Sequence, residues 1–370
     1  MRGMKEKPHL EGILAEASRE AQKIENLPSK LLRYEKAHRR ALEMAEYIKD
    51  MCSGNEFLER EYSGASSRLA TCGELLLFRN YFTVDQVRLH AANFCKNHLL
   101  CPLCGLRRGS KLTSGYWDRF EIIRASDSEI KAYLVTFTTK NGPDLRERFN
   151  HLARGKKKYH AMRRNAIKGN RSPLEINKAL GGVSSYEVKI GEGSGEWHVH
   201  DHSIWLCHER PWETKISQEW KEITGDSFIV DVKEIDGPEG FLEVMAYAVK
   251  FSTMTLEDNF TAYQFLKNKR MVNSFGAFRG VEIPESLLDE PLDDLPYIEL
   301  LYAFISGAGY KLQKDRDVTR EKIINQINKK ESRVGHLFSP PFSRLIPGRQ
   351  IESGRESLPL PLSLKRKSFA

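Results

Sequence analysis

Residues 183–207, VSSYEVKIGEGSGEWHVHDHSIWLC, hold two β-like runs separated by a glycine-rich turn, the pattern of an antiparallel hairpin. Side chains alternate along a strand, so His198, His200 and His202 share one face of the second arm. Glu187, on the neighbouring arm, adds a carboxylate within reach. Imidazoles two residues apart on a rigid strand suit one divalent ion, and a solvated polar face is the competing reading. Working outward, KAYLVTFTTKN (131–141) reads as a strand and residues 144–168 as a basic helix. Downstream come a helix over 212–223, a strand in SFIVDVKEI (227–235) and a helix over 238–251. Strand, helix, hairpin, helix, strand, helix predicts an α+β fold with an antiparallel sheet rather than a doubly wound parallel one.

A second constellation precedes this one. Cys95-x5-Cys101-Pro-x-Cys104 forms a tight knuckle, with Cys72-Gly upstream and Arg107-Arg108 just behind. Four thiolates at such spacing are a structural zinc set with no open position, with His98 or His90 as substitute ligands. The alternative is a group of buried free thiols. A third constellation is Glu243, Tyr247 and Lys250, which share a helix face at 3.6 residues per turn. A tyrosine between a carboxylate and a lysine is a candidate nucleophile with its base and a cationic stabiliser. A surface ion pair beside a core tyrosine fits the same spacing.

Taken in order, these segments resemble the rolling-circle plasmid replication initiators, the Rep proteins of the HUH endonuclease superfamily, and within them the single-tyrosine replicases. FCKNHLLCPLCGLRRGSK (94–111), YLVTFTTKN (133–141), EVKIGEGSGEWHVHDHSIWL (187–206) and EVMAYAVKF (243–251) carry the resemblance, and KNKRMVNSFGAFRGV (267–281) adds a weaker match. It spans about residues 70–310. The resemblance implies an HUH endonuclease core in which His200 and His202 bind Mg²⁺ or Mn²⁺, with His198 as the alternative partner of His200. Asp201 departs from the apolar residue of that family's motif. It further implies that Tyr247 attacks one DNA strand at the origin, leaving a 5′-phosphotyrosine link and a free 3′-OH, and that the strand is later rejoined. Glu243 matches the glutamate tied to terminating cleavage, and Lys250 the lysine that follows the tyrosine. Two other readings use the same residues: a noncatalytic zinc-containing DNA-binding regulator, and an HUH relaxase or transposase.

Charge places the expected DNA contacts. Lysine and arginine number 58 against 50 acids, giving +8, an excess that permits a polyanion partner. Residues 151–172 carry eight Lys or Arg and no acid, whereas residues 282–299 carry seven acids and no base, so the two segments present opposite faces. Lys156, Lys157, Lys158, Arg163 and Arg164, together with Arg107 and Arg108, are the expected phosphate contacts. The expected partners are plasmid origin DNA, single-stranded or supercoiled, then host helicase and DNA polymerase, with no membrane. No run of eighteen apolar residues exists, which excludes a transmembrane helix, and MRGMKEKPHLEG lacks a signal-peptide core, so the expected location is the cytoplasm. The expected organisation is a helical region over 1–65, a zinc-binding segment over 66–125 and the endonuclease core over 126–282. A helical region over 283–338 and a proline-rich basic tail over 339–370 follow.

Overall fold

A computed structural model gives the fold, and the structure describes residues 27–245, 254–292 and 295–313. Two helices open it, α1 (Leu27–Cys52) and α2 (Glu56–Ala70). Tyr34, Ala37, His38, Ala41, Met44, Ala45 and Ile48 repeat every three or four residues and form the buried stripe of α1. Asn55 caps α2 by accepting from the Leu58 amide. The hairpin β1 (Leu75–Tyr81) and β2 (Gln86–Ala92) follows, then the long α3 (Pro102–Ser126), with Pro102 in the first turn where its missing N–H costs nothing.

The central layer is a five-stranded antiparallel sheet in the order β6-β3-β5-β4-β7. Its strands are β3 (Lys131–Thr138), β4 (Gly181–Ile190), β5 (Trp197–Cys207), β6 (Val230–Ile235) and β7 (Val272–Gly276). Strand β5 lies in the middle, between β3 and β4. Helices α4 (Leu145–Ile167) and α5 (Glu213–Thr224) cover one face. There Phe137, Tyr159, Trp205 and Trp220 pack edge to face or tilted at 5.0–6.3 Å. Gly155 lets α4 approach α5, because a Cβ there would stand 2.7 Å from the Trp220 ring. Helix α6 (Pro238–Met245) crosses the other face. Helix α7 (Leu256–Leu266) leads into β7.

Two expectations change, and a third is only partly described. The region over 283–338 is expected to be helical, yet β8 (Ile298–Ile305) and β9 (Gly309–Leu312) are strands, and residues from 314 onward lie outside the description. IELLYAFI pairs antiparallel with β1, whose outer edge would otherwise stand open, giving a second sheet in the order β2-β1-β8-β9. The segment 66–125 is more than a metal knuckle, because it contributes a hairpin and a 25-residue helix to the core. The helix expected over 238–251 is described as far as Met245, and Tyr247 and Lys250 lie outside the described residues. The mixed α+β class holds, with two antiparallel sheets and seven α-helices among the described residues. No described helix is long and apolar enough to cross a membrane.

Candidate metal centres and catalytic face

Cross-strand register builds the first cluster. His200 stands opposite Glu187 on β4 and Thr138 on β3, while His202 stands opposite Ser185 and Thr136. Partners across a sheet share a face, so two imidazoles and a carboxylate converge. Glu187 Oε2 lies 2.5 Å from His202 Nε2, and its Oε1 lies 3.4 Å from His200 Nε2. All three residues are buried. Thr136 Oγ1 sits 3.2 Å from His202 Nδ1 and fixes that ring while its Nε2 points into the cluster. Burial holds the His200 imidazole below its ordinary pKa, so the ring stays neutral with its lone pair available.

A divalent ion fits these donors. His200 Nε2 is buried and makes no well-aligned hydrogen bond, its polar neighbour being Glu187 Oε1 at 3.4 Å, so a cation between the two would satisfy both. The three ligand atoms lie within 4.8 Å of one another. Two nitrogen ligands and one carboxylate leave positions open for a further ligand, as a catalytic site requires. His198 is not part of this group. Its Nδ1 is hydrogen bonded to Asn141 Oδ1, its ring rests edge-on against His200 at 4.3 Å, and burial pushes its pKa down to about 4.

Asp201 faces the opposite way. It is fully buried on the α4 face, where Lys156 Nζ pairs with its Oδ1 at 2.6 Å and donates to Ser203 Oγ at 2.9 Å. Ser203 Oγ in turn donates to Asp201 Oδ1 at 2.5 Å. The departure from an apolar residue is therefore matched by a lysine from the neighbouring helix and leaves the histidine face untouched.

That pairing corrects one expected DNA contact. Lys156 is 3% exposed and its charge is satisfied inside the core, so it does not present itself to phosphate. Arg107 is corrected likewise: it is buried, donating to Asp289 Oδ1 at 2.5 Å, to the Leu287 carbonyl and to Tyr34. Arg108 and Arg163 are half-buried and spend donors on the carbonyls of Pro284 and Ala179. Lys157, Lys158 and Arg164 remain exposed on α4.

The second cluster is Cys72, Cys95, Cys101 and Cys104, without His90 or His98. Sγ–Sγ separations of 3.5 Å join Cys72 to Cys101 and Cys104, and Cys95 to Cys104. Sulfurs around a zinc ion at 2.3 Å stand about 3.8 Å apart at tetrahedral corners. The backbone is shaped for this cradle. Gly73 takes φ +76° directly after Cys72, where a Cβ would strike Leu103, and Cys101 caps α3 so that the helix N-terminus faces the sulfurs. Burial alone would push the Cys101 thiol up, but hydrogen bonds from Cys104, Cys72 and Cys95 hold it below the ordinary range. Cys52 and Cys207 stand apart as buried thiols.

Helix α6 links the two clusters. Ser185, opposite His202, donates to the Val244 carbonyl, holding the end of α6 over the histidine face. Trp117 and Phe120 on α3 pack against Phe241 of α6 at 5.3 and 5.7 Å. Glu243 is exposed on that helix. The tether and Thr136 escaped the sequence reading; strand register puts Ser185 and Thr136 opposite His202, but nothing local says that Ser185 meets Val244.

An antiparallel α+β fold with a buried Glu/His/His cluster across β4 and β5, and a Cys₄ cluster at the start of α3, presents two candidate metal sites. The family model "Replication protein" (Rep_1) matches residues 86–299, more than half of the chain. The chain belongs to that family, the plasmid rolling-circle replication proteins, and is a plasmid replication initiator. No curated protein and no solved structure matches it.

Proposed function

We propose that the protein nicks one strand at the plasmid origin by the HUH mechanism, with Tyr247 as the single nucleophile, and later rejoins the strand. The observation that carries this reading is the buried convergence of Glu187, His200 and His202, with their ligand atoms within 4.8 Å of one another. A second support is the anchoring around Tyr247. Ser185 holds the Val244 carbonyl three residues before it, and Arg40 of α1 donates to the Met254 carbonyl seven residues after it, at 2.6 Å.

Glu187, His200 and His202 would hold Mg²⁺ or Mn²⁺, which when bound supplies a positive charge that polarises the scissile phosphate. Cys72, Cys95, Cys101 and Cys104 would hold a structural Zn²⁺. The Tyr247 phenol has an ordinary pKa near 10, and Lys250 favours its phenolate electrostatically. The phenolate oxygen forms a bond to phosphorus while the bond to the 3′-oxygen breaks. That oxygen takes a proton to become the 3′-OH, and the 5′ side stays on Tyr247. One phosphodiester replaces another, so rejoining needs no ATP. At the end of a round Glu243 acts as general base on water, which cuts the regenerated origin and frees a 3′-OH; that hydroxyl attacks the Tyr247 phosphodiester, joining the strand as the phenol leaves. Lys157, Lys158 and Arg164 track the phosphates. Origin DNA, single-stranded or supercoiled, is the substrate, a host helicase unwinds the duplex while a host polymerase extends the 3′-OH, and the cytoplasm is the site of action.

Incubation with a randomised single-stranded DNA pool and Mn²⁺ tests this. The expected product is an SDS-resistant protein–DNA adduct that Tyr247→Phe abolishes. Zinc-dependent DNA binding without any adduct would instead favour the noncatalytic regulator.

A further inference from the structure

The four sulfurs of the Cys₄ cluster differ in access. Cys72, Cys101 and Cys104 are at most 1% exposed, whereas Cys95 is half-buried. They differ in backing as well. Cys101 and Cys104 lie at the head of α3, where the Cys101 carbonyl accepts from the Gly105 amide at 2.9 Å. Cys72 follows α2, and its amide donates to the Leu69 carbonyl at 3.1 Å. Cys95 stands instead in the irregular stretch 93–97 between β2 and α3. Its neighbour Lys96 takes φ +57°, a left-handed backbone that strains a residue other than glycine. Cys95 Sγ lies 3.5 Å from Cys104 Sγ, and the Cys95 amide donates to Cys72 Sγ at 3.3 Å. One sulfur of the cradle is therefore within reach of small solutes and carried on irregular backbone, and the other three are sealed.

We propose that Cys95 is an oxidation site, at which a peroxide converts the Cys95–Cys104 pair into a disulfide and empties the cradle of zinc. The inference rests on the zinc reading above and adds a reaction of the ligand set. A sulfur that binds zinc is a thiolate, the nucleophilic form. The Cys95 thiolate attacks one oxygen of hydrogen peroxide, the O–O bond breaks and hydroxide leaves, so that Cys95 becomes a sulfenic acid. Cys104 Sγ then attacks the Cys95 sulfur, and the S–S bond forms as a second hydroxide leaves. The two cysteines lose two electrons, the peroxide gains them, and two protons from solvent turn both hydroxides into water. To reach disulfide length the sulfurs close by about 1.5 Å. That shift falls on the stretch 93–97, because the head of α3 is held by its own hydrogen bonds. Cys72 and Cys101 alone do not complete a tetrahedral zinc site, so the ion is lost. Cys52 and Cys207, buried and outside the cluster, stay reduced.

The full-length protein, isolated under reducing conditions and freed of excess metal, is treated with hydrogen peroxide while a chromogenic chelator reports released zinc. Zinc should appear in step with the loss of two thiols. Trypsin cuts after Arg88, Lys96 and Arg107, so the cross-link should join peptide 89–96 to peptide 97–107. Fragmentation in the mass spectrometer then tells Cys104 from Cys101. Dithiothreitol with added Zn²⁺ should restore both the metal content and the melting temperature. Cys52→Ser combined with Cys207→Ser, which leaves the cluster whole, should release zinc at the wild-type rate. Peroxide that frees no zinc, a disulfide that omits Cys95, or zinc release without any cross-link would overturn the proposal. A protein isolated without zinc that still forms the Cys95–Cys104 bond would support the oxidation site and sink the zinc reading.

Discussion

At the scale of single residues, the contrast between Asp201 and its two histidine neighbours is the most informative. Alternation on β5 sends the histidines to one face and the aspartate to the other, where Lys156 meets it. Removing one partner of a buried ion pair leaves a charge in a low-dielectric core, at a cost of about 3–5 kcal/mol. Lys156→Met should therefore unfold at clearly lower urea, whereas Lys156→Met with Asp201→Leu should recover most of the loss. The same pair shows what a sequence can disclose. Register made Glu187, His200 and His202 legible, because period-two alternation needs only a hairpin. Lys156 was hidden inside a run of basic residues, although Leu145, Phe149, Leu152 and Tyr159 mark a buried stripe that passes through it. Helical phase, rather than charge density, decides which lysine of a basic run reaches solvent.

At the scale of elements, α3 and α6 matter most. Helix α3 runs about 37 Å from its Cys101 cap, and its far half packs on α6 through Phe120 and Phe241. Cys101→Ser should abolish stoichiometric zinc by metal analysis. It should also lower the melting temperature, because β1, β2 and α3 then lose their common anchor. On α6, Glu243→Ala should leave the first nick unchanged and impair the terminating cleavage, read as accumulated linear or multimeric product on an origin plasmid. Equal loss of both activities would refute the separate role. On α4, replacing Lys157, Lys158 and Arg164 with alanine should flatten the dependence of DNA affinity on salt by about one unit of slope per lost phosphate contact. The helices themselves were readable from apolar period. Their contacts were not, since nothing local says that Trp117 will meet Phe241.

At the scale of the whole molecule, acid should loosen the fold. Burial pushes both His160 and His198 down to about 4, against an ordinary value of 6.5. Between those values the unfolded chain binds protons that the folded chain refuses, so stability falls as pH drops from about 6.5 towards 4 and this contribution levels off below. Urea midpoints at pH 7.5, 6 and 4.5 should fall in that order. The sheet that sequence reading missed also belongs to this scale. IELLYAFI has apolar residues enough for either a helix or a strand, and only a distant partner, β1, decides between them. That distance has a further result. Strand β1 must wait for β8, more than two hundred residues later, so a chain emerging from the ribosome finishes its central sheet before its first one closes. Until then β1 carries a bare edge, and a prematurely terminated product would keep it, an invitation to clump rather than to act as a partial initiator.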